Sequence, residues 1–306
     1  MGRDEFIRQS DSNLARDMAK TRLDSPALLG SLRFRSLLTG LFILAFALVG
    51  TITMFLPIFW MAISGFKSLE EIRAIPPQLF PEVWLWQNYV AVWQVTPLGR
   101  SFLNSLFIGL SQVAGVVITS TMAGYAFAKL RFPGRDIMFV MILSTLMVPF
   151  FLQAIPLFVI MARLGWINTY QAQIVPFLAS GFGIFLMRQF MLTVPTELID
   201  AARIDGCSEF GVLWRIVLPL VKSAAAALSI FVFISSWQDL FWPLLVAKQA
   251  NYYPIQQAIY FIQGQYDANE HLLMAAGTMA ILPPLIMFII LQERMVQGIT
   301  LTGLKG

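Results

Sequence analysis

Cysteine and histidine are nearly missing from this chain: Cys207 and His271 are the only examples in 306 residues. That scarcity excludes a disulfide framework and any multi-histidine or cysteine metal centre. Charge is also scarce, 12% of residues against 58% hydrophobic, where a soluble domain carries about 25% charged residues. Water is therefore not the solvent for most of the chain. No Gly-x4-Gly-Lys-Ser/Thr run occurs, so the chain has no phosphate-cradling loop with which to hydrolyse ATP. His271 has no Ser and Asp constellation around it in sequence, which argues against an enzyme and makes an exposed polar residue the expectation there. The basic residues form no stripe with interleaved aromatics, so the net charge of +4 does not point to nucleic acid.

What is present is a series of long apolar runs. A membrane-crossing helix needs about 20 residues, and six stretches qualify: 37–66, 101–128, 137–161, 164–187, 222–247 and 272–291. Pro149, Gln153 and Pro156 interrupt the third, Pro176 and Gly181 the fourth, and Pro283 and Pro284 the sixth. Each is expected to kink or break its helix. Ser111, Gly115, Thr119 and Ala123 recur every fourth residue, a stripe that lets another helix approach closely. The fold class is thus all-α, a polytopic membrane protein with six transmembrane helices spread over 37–306 and preceded by a polar segment, 1–36, with no cleavable signal.

Lys and Arg set the orientation. Sixteen lie before the first run, between the second and third, between the fourth and fifth with Lys222 at the start of the fifth included, or in the tail, against five on the alternate side. Both termini and the 193–220 segment are therefore expected in the cytoplasm, and 67–100 and 248–271 outside, with Trp84, Trp86 and Trp93 at the membrane surface.

The 193–220 segment, polar between apolar runs, reads as two short helices joined at Gly206. Thr193 or Thr196 is placed to cap the first, Pro195 suits its first turn, and Glu197 and Asp200 complement its dipole. Gly206 supplies a left-handed stop. Phe210, Leu213, Trp214 and Val217 give the second helix one apolar stripe.

Asp200, Ala201, Ala202, Asp205 and Gly206, followed by Ile216, Leu218 and Pro219, resemble the "EAA" motif of ABC-importer permeases. The chain is similar to the smaller permease subunit of the maltose type from about residue 37 to Gly306. Asp200 stands where that motif has Glu, and Cys207 where a small residue is usual. The resemblance implies a carbohydrate importer in a bacterial or archaeal cell membrane, built from this chain, a second permease, two ATPase subunits that hold ATP and Mg, and an external solute-binding protein. It implies that this chain binds no cofactor of its own. It also implies ATPase coupling through Glu197, Asp200, Ala201, Ala202, Asp205 and Gly206. The glycine-rich tail, with Thr300, Thr302, Gly303 and Lys305, would enter the ATPase interface as extended backbone.

A sugar path needs hydrogen-bonding groups and aromatic faces, which directs attention to Asn104, Gln153, Trp237, Asp239 and Trp242. Asn104 and Gln153 have the alternative of bonding neighbouring helices, and Trp242 of anchoring the interface. Asp239 is the one charge inside the fifth run, either functional or fixed in an ion pair. An ion-coupled secondary transporter is the alternative from another class. It needs coupling-ion ligands or proton relays within the membrane, and only Asp239 offers one.

Overall fold

The computed structural model describes residues 26–265 and 269–303, with side chains described over 38–263 and 269–292. Residues 1–25 of the polar N-terminal segment lie outside the described residues. Every element among the described residues is helical. The principal helices are α1 (Pro26–Ser64), α2 (Leu98–Lys129), α3 (Arg135–Thr145), α4 (Phe150–Arg163), α5 (Gly181–Leu192), α6 (Thr196–Ile204), α7 (Lys222–Gln238) and α8 (Glu270–Gly303). The chain divides into two compact units, Met1–Trp60 and Met61–Gly306. The described part of the first is a single helix, whose residues 37–60 carry no charge.

Three stretches are uninterrupted and apolar enough to cross a membrane: Leu38–Ser64, Leu98–Lys129 and Glu270–Gln292. Three others are broken pairs, α3 with α4 bent by 97°, Tyr170–Phe177 with α5 by 40°, and Glu209–Leu220 with α7 by 81°. Pro149 and Gln153 fall at the first break or just after it, where Pro149 precedes α4 and cannot continue a helix.

Within the second unit, α2 packs along α5 and α7. The small residues have a physical purpose there: a side chain on Gly124 would meet Met187 Cβ at 2.8 Å and the Arg188 backbone at 3.0 Å, and one on Gly183 would meet Ser120 Oγ. Ser120 and Gly124 lie one position along from the anticipated stripe, and close approach occurs on that stripe as well, where a side chain on Gly115 would meet Leu178 Cδ2. Thr119 on that stripe donates to the Leu178 carbonyl at 2.6 Å.

The sixth run differs from expectation. α8 is one helix through Pro283 and Pro284. Proline removes the N–H that would bond the carbonyl four residues earlier. For Pro284 that carbonyl is Ala280, and the Trp237 indole N–H donates to it at 2.9 Å. The same substitution recurs at Pro176, whose orphaned carbonyl, Ala172, accepts the Trp242 indole N–H at 2.8 Å. Both tryptophans are buried, 1% and 0% exposed.

α8 also runs on to Gly303, where the glycines predicted extended chain. Glycine disfavours a helix by about 1 kcal/mol per residue, but extending an existing helix avoids the cost of nucleation. The 248–271 stretch is likewise not a simple loop. It contains the helix Ile255–Gln265, whose Ile255, Ala258 and Ile262 are buried, and whose Ile255 N–H is held by Ser105 Oγ at 2.7 Å. His271 lies in the first turn of α8.

Replacing Trp237 or Trp242 by Phe keeps the ring but strands a buried carbonyl. Each variant is expected to lose about 1–2 kcal/mol, measured as a lowered unfolding midpoint of the purified protein in detergent. Midpoints equal to the parent's would show that another donor reaches those carbonyls.

Candidate functional site

The 193–220 segment folds as α6, a glycine turn, and the helical run Glu209–Leu220. α6 starts at Thr196, with Pro195 in the cap position and no side-chain cap bond. Thr193 does not cap it, because its hydroxyl donates back to Phe190 O at 2.8 Å and closes α5 instead. At the other end Gly206 has φ 80°. Its N–H bonds Arg203 O at 3.0 Å while Cys207 N–H bonds Ala202 O at 2.9 Å, the pair of bonds that defines a Schellman stop. A hypothetical side chain on Gly206 meets nothing within 4 Å, so the requirement for glycine within this chain is conformational. Ser208 then caps the next helix by accepting from Gly211 N–H at 3.2 Å.

Residues Leu213–Val217 form a π-turn. Pro219 offers a cause, since its ring would press on the Arg215 carbonyl of a regular helix and a widened turn relieves that clash. The turn splits the expected stripe. Leu213 and Val217 are buried with Val212, while Phe210 is 60% exposed.

Buried Ile199, Ala202, Val212, Leu213 and Val217 form one core with Val116 and Tyr125 of α2, Met187 and Met191 of α5, and Leu228 of α7. A polar chain closes over this core. Tyr125 Oη donates to Glu209 Oε2 at 2.5 Å, Arg203 Nε pairs with Glu209 Oε1 at 2.7 Å, and Arg203 Nη1 pairs with Asp200 Oδ1 at 3.0 Å. Lys129 Nζ donates to Val194 O at 2.6 Å. The Arg203 and Tyr125 hydrogen bonds hold the Glu209 carboxyl below its ordinary range.

Of the motif residues, Ala202 faces inward, whereas Glu197, Asp200, Ala201, Asp205 and Gly206 are exposed. Beside them the structure exposes apolar side chains that the motif did not single out: Leu198 at 46%, Ile204 at 86% and Phe210 at 60%. Of the tail residues, Thr300, Thr302 and Gly303 lie on α8 and Lys305 lies outside the described residues.

A second feature is a cleft of ≈ 850 Å³ whose polar lining is Gln112, Gln153, Ser180 and Ser235, with Phe150 and Phe177 among its aromatic walls. Gln153 is the one anticipated path residue that lines it. Asn104, Trp237 and Trp242 do not, and the structure spends them on backbone. The Asn104 amide donates to Asn251 O at 2.8 Å and Tyr253 O at 3.0 Å, and its oxygen accepts from Tyr170 Oη at 2.8 Å. Asp239 has no ion-pair partner among the described residues and accepts the Trp242 N–H at 3.3 Å, at the start of the helix Phe241–Val246. Ser180 and Ser235 escaped sequence reading because serines in apolar runs usually serve helix packing. Gln112 donates to Gln173 O at 2.7 Å.

Residues 115–301 match the family of binding-protein-dependent transport system inner membrane components. The chain belongs to that family. This inner membrane component is 33% identical over 273 residues to an arabinooligosaccharides transport system permease protein of Halalkalibacterium halodurans, covering 88% of this chain and 98% of the relative. It is 33% identical to an sn-glycerol-3-phosphate transport system permease protein of Pectobacterium atrosepticum, covering 82% of this chain and 92% of the relative. Its fold matches a chain in the crystal structure of a bacterial ABC transporter involved in the import of the acidic polysaccharide alginate, with TM-score 0.73 and 22% identity over 84% of this chain and 96% of that one. The component is therefore a multi-pass membrane permease of a transport system.

The lowered pKa of Glu209 carries a sign. A carboxylate held below its ordinary value contributes stability above that value and loses it as pH falls through the folded value. Protection of 196–212 against hydrogen exchange, taken relative to the intrinsic rate at each pH, is expected to hold from neutral pH down to the ordinary carboxylate range and to fall only below it. Glu209→Gln should lower that protection at neutral pH and reduce the acid response. An identical acid response in parent and variant would mean that Glu209 is not the group that holds the loop.

Proposed function

We propose that this chain is one of two permease subunits of an ATP-driven importer for a carbohydrate or related polyol, with ATP and Mg held by two partner ATPase subunits and solute delivered by an external binding protein. The single observation that carries the coupling assignment is the exposed face of the 193–220 segment. Leu198, Ile204 and Phe210 are presented to solvent by a loop that its own core and the Tyr125–Glu209–Arg203 bonds hold firmly. Apolar side chains on a fixed, polar-rimmed projection suit a partner's cleft. Six spans are reached when each bent pair contributes one, with the 209–220 arm of the last pair left in the cytoplasmic loop, and cytoplasmic termini follow from the sixteen-to-five split of Lys and Arg. The domain reading keeps 37–306 as the permease proper and 193–220 as its coupling loop.

The mechanism runs along α2. Tyr125 near one end of α2 binds the loop, and Gln112 and Val116 on the same helix line the cleft. Thirteen residues of helix, about 20 Å, separate Tyr125 from Gln112, so a push on the loop is delivered to the cleft wall by a rigid element. Phe231 and Ser235 of α7 line the facing side, and α7 is reached from the loop through the bend after Leu220. Gln153, Ser180 and Ser235 supply hydrogen bonds to hydroxyls, and the phenylalanines supply apolar faces for sugar rings. Asp239, engaged with backbone at a helix start, is left as a shaping residue, which favours this reading over an ion-coupled carrier. The tail residues Thr300, Thr302, Gly303 and Lys305 would add a second ATPase contact.

The test is solute-stimulated ATP hydrolysis by the complete complex in proteoliposomes. Ile204→Asp and Phe210→Asp should each lower it at least tenfold by weakening ATPase assembly, while the permease pair stays intact. Unchanged stimulation in both would remove the coupling assignment. Cysteines placed at 204 and 252 in a Cys207→Ala background are expected to label from opposite sides of the membrane, and labelling from one side would overturn the six-span reading.

A further inference from the structure

Between the turn after α2 and the head of α6 lies a pocket of ≈ 730 Å³ with Lys129, Arg131, Arg135 and Arg203 in its wall and Asp200 as its one acidic residue. Arg203 is committed to Asp200 and Glu209, and Lys129 to the Val194 carbonyl. Arg135 pairs with exposed Asp136 and reaches Leu130 O. Arg131 has no hydrogen-bond or ion-pair partner among the described residues, and it also lines an adjoining cavity of ≈ 470 Å³ that continues to Ile137. Immediately beyond, α3 exposes Ile137, Met138, Val140 and Met141, and Leu192, itself 44% exposed, lines the pocket. A cationic hollow thus opens directly onto an apolar helix surface. One molecule with a phosphate head and acyl tails satisfies both parts, and cytoplasmic-side basic pockets between membrane helices favour such headgroups.

We propose that this pocket binds the phosphate of an anionic phospholipid of the cytoplasmic leaflet, with Arg131 as the principal donor and Arg135 as the second. Because Asp200 and Arg203 share the pocket wall, an occupied pocket also steadies the loop that carries the exposed Ile204. The proposal rests on the cytoplasmic placement of these turns, and the cysteine labelling above tests that placement separately from lipid binding.

The experiment uses the complete complex in nanodiscs of phosphatidylcholine alone or with added phosphatidylglycerol. Bound phosphatidylglycerol is counted by native mass spectrometry, and solute-stimulated ATP hydrolysis is measured alongside. The parent is expected to retain phosphatidylglycerol and to be stimulated more strongly in its presence. Arg131→Gln should weaken retention about fivefold, Arg131→Gln with Arg135→Gln further, at roughly 1 kcal/mol per cation, while Arg131→Lys keeps most of it. Inorganic phosphate should neither displace the lipid nor replace its stimulation. Equal retention by parent and double variant would overturn the proposal, as would full displacement by phosphate, which marks a soluble-anion site. Loss of ATPase assembly in the double variant, alike with and without phosphatidylglycerol, would also overturn it by assigning the pocket to an acidic segment of a partner.

Discussion

The structure depends on a single constraint: where water is excluded, every backbone carbonyl that a proline or a helix end sets free needs another donor. Two tryptophans meet it at two prolines that sit within helical stretches. Trp237 serves the carbonyl freed by Pro284 and Trp242 the one freed by Pro176. Asn88 does the same where α1 ends, donating to Gly65 O and Lys67 O, and Asn104 does so for the turn before Ile255. Pro176 and Pro284 therefore mark places where helices are joined side to side, since in both cases the donor comes from another element.

That constraint separates framework from moving parts. The donors that serve backbone are nearly all buried, and their removal leaves an unpaired group in an apolar setting. The clamp on the 193–220 segment is of another kind. Arg203 and Glu209 are 35% and 47% exposed, so each ion pair alone contributes at most about 1 kcal/mol. Burial of Ile199, Val212, Leu213 and Val217 does more of the seating, and the polar chain fixes direction rather than depth. A loop seated by its core and aimed by its charges is fixed to α2 by packing and by the Tyr125 bond, as the proposed delivery of a push requires.

Helical content, the long apolar runs, the Gly206 stop and the breaks near Pro149 and Pro176 were legible in the sequence, because each follows from local backbone chemistry. The identity of the cleft residues was not. Asn104, Trp237 and Trp242 carry the polar groups that a sugar path needs, yet the same groups serve an orphaned carbonyl, and which task wins depends on what lies across the interface. Pro283 and Pro284 misled for the same reason, since the donor that repairs the helix is about forty residues away. Phe210 followed helical spacing onto the apolar stripe, but the π-turn after it changes the register, and only the three-dimensional course of Leu213–Val217 shows that.

The two departures from the motif that the 200–219 stretch resembles find local explanations. Cys207 occupies the place of a smaller residue, and its sulfur lies where a side chain on Gly211 would come within 2.6 Å. The larger atom at 207 is thus accommodated by the absence of one at 211, so the pair conserves volume within the turn. Asp200 is shorter than the usual Glu, and its carboxylate is already taken by Arg203 one turn on, at 3.0 Å. Arg203 in turn orients Glu209, which receives Tyr125. The charge at 200 therefore acts first inside the loop, through a chain that ends on α2. On that account the arm length at 200 matters through where it holds the Arg203 fork, because shifting a planar donor that serves two carboxylates at once disturbs both.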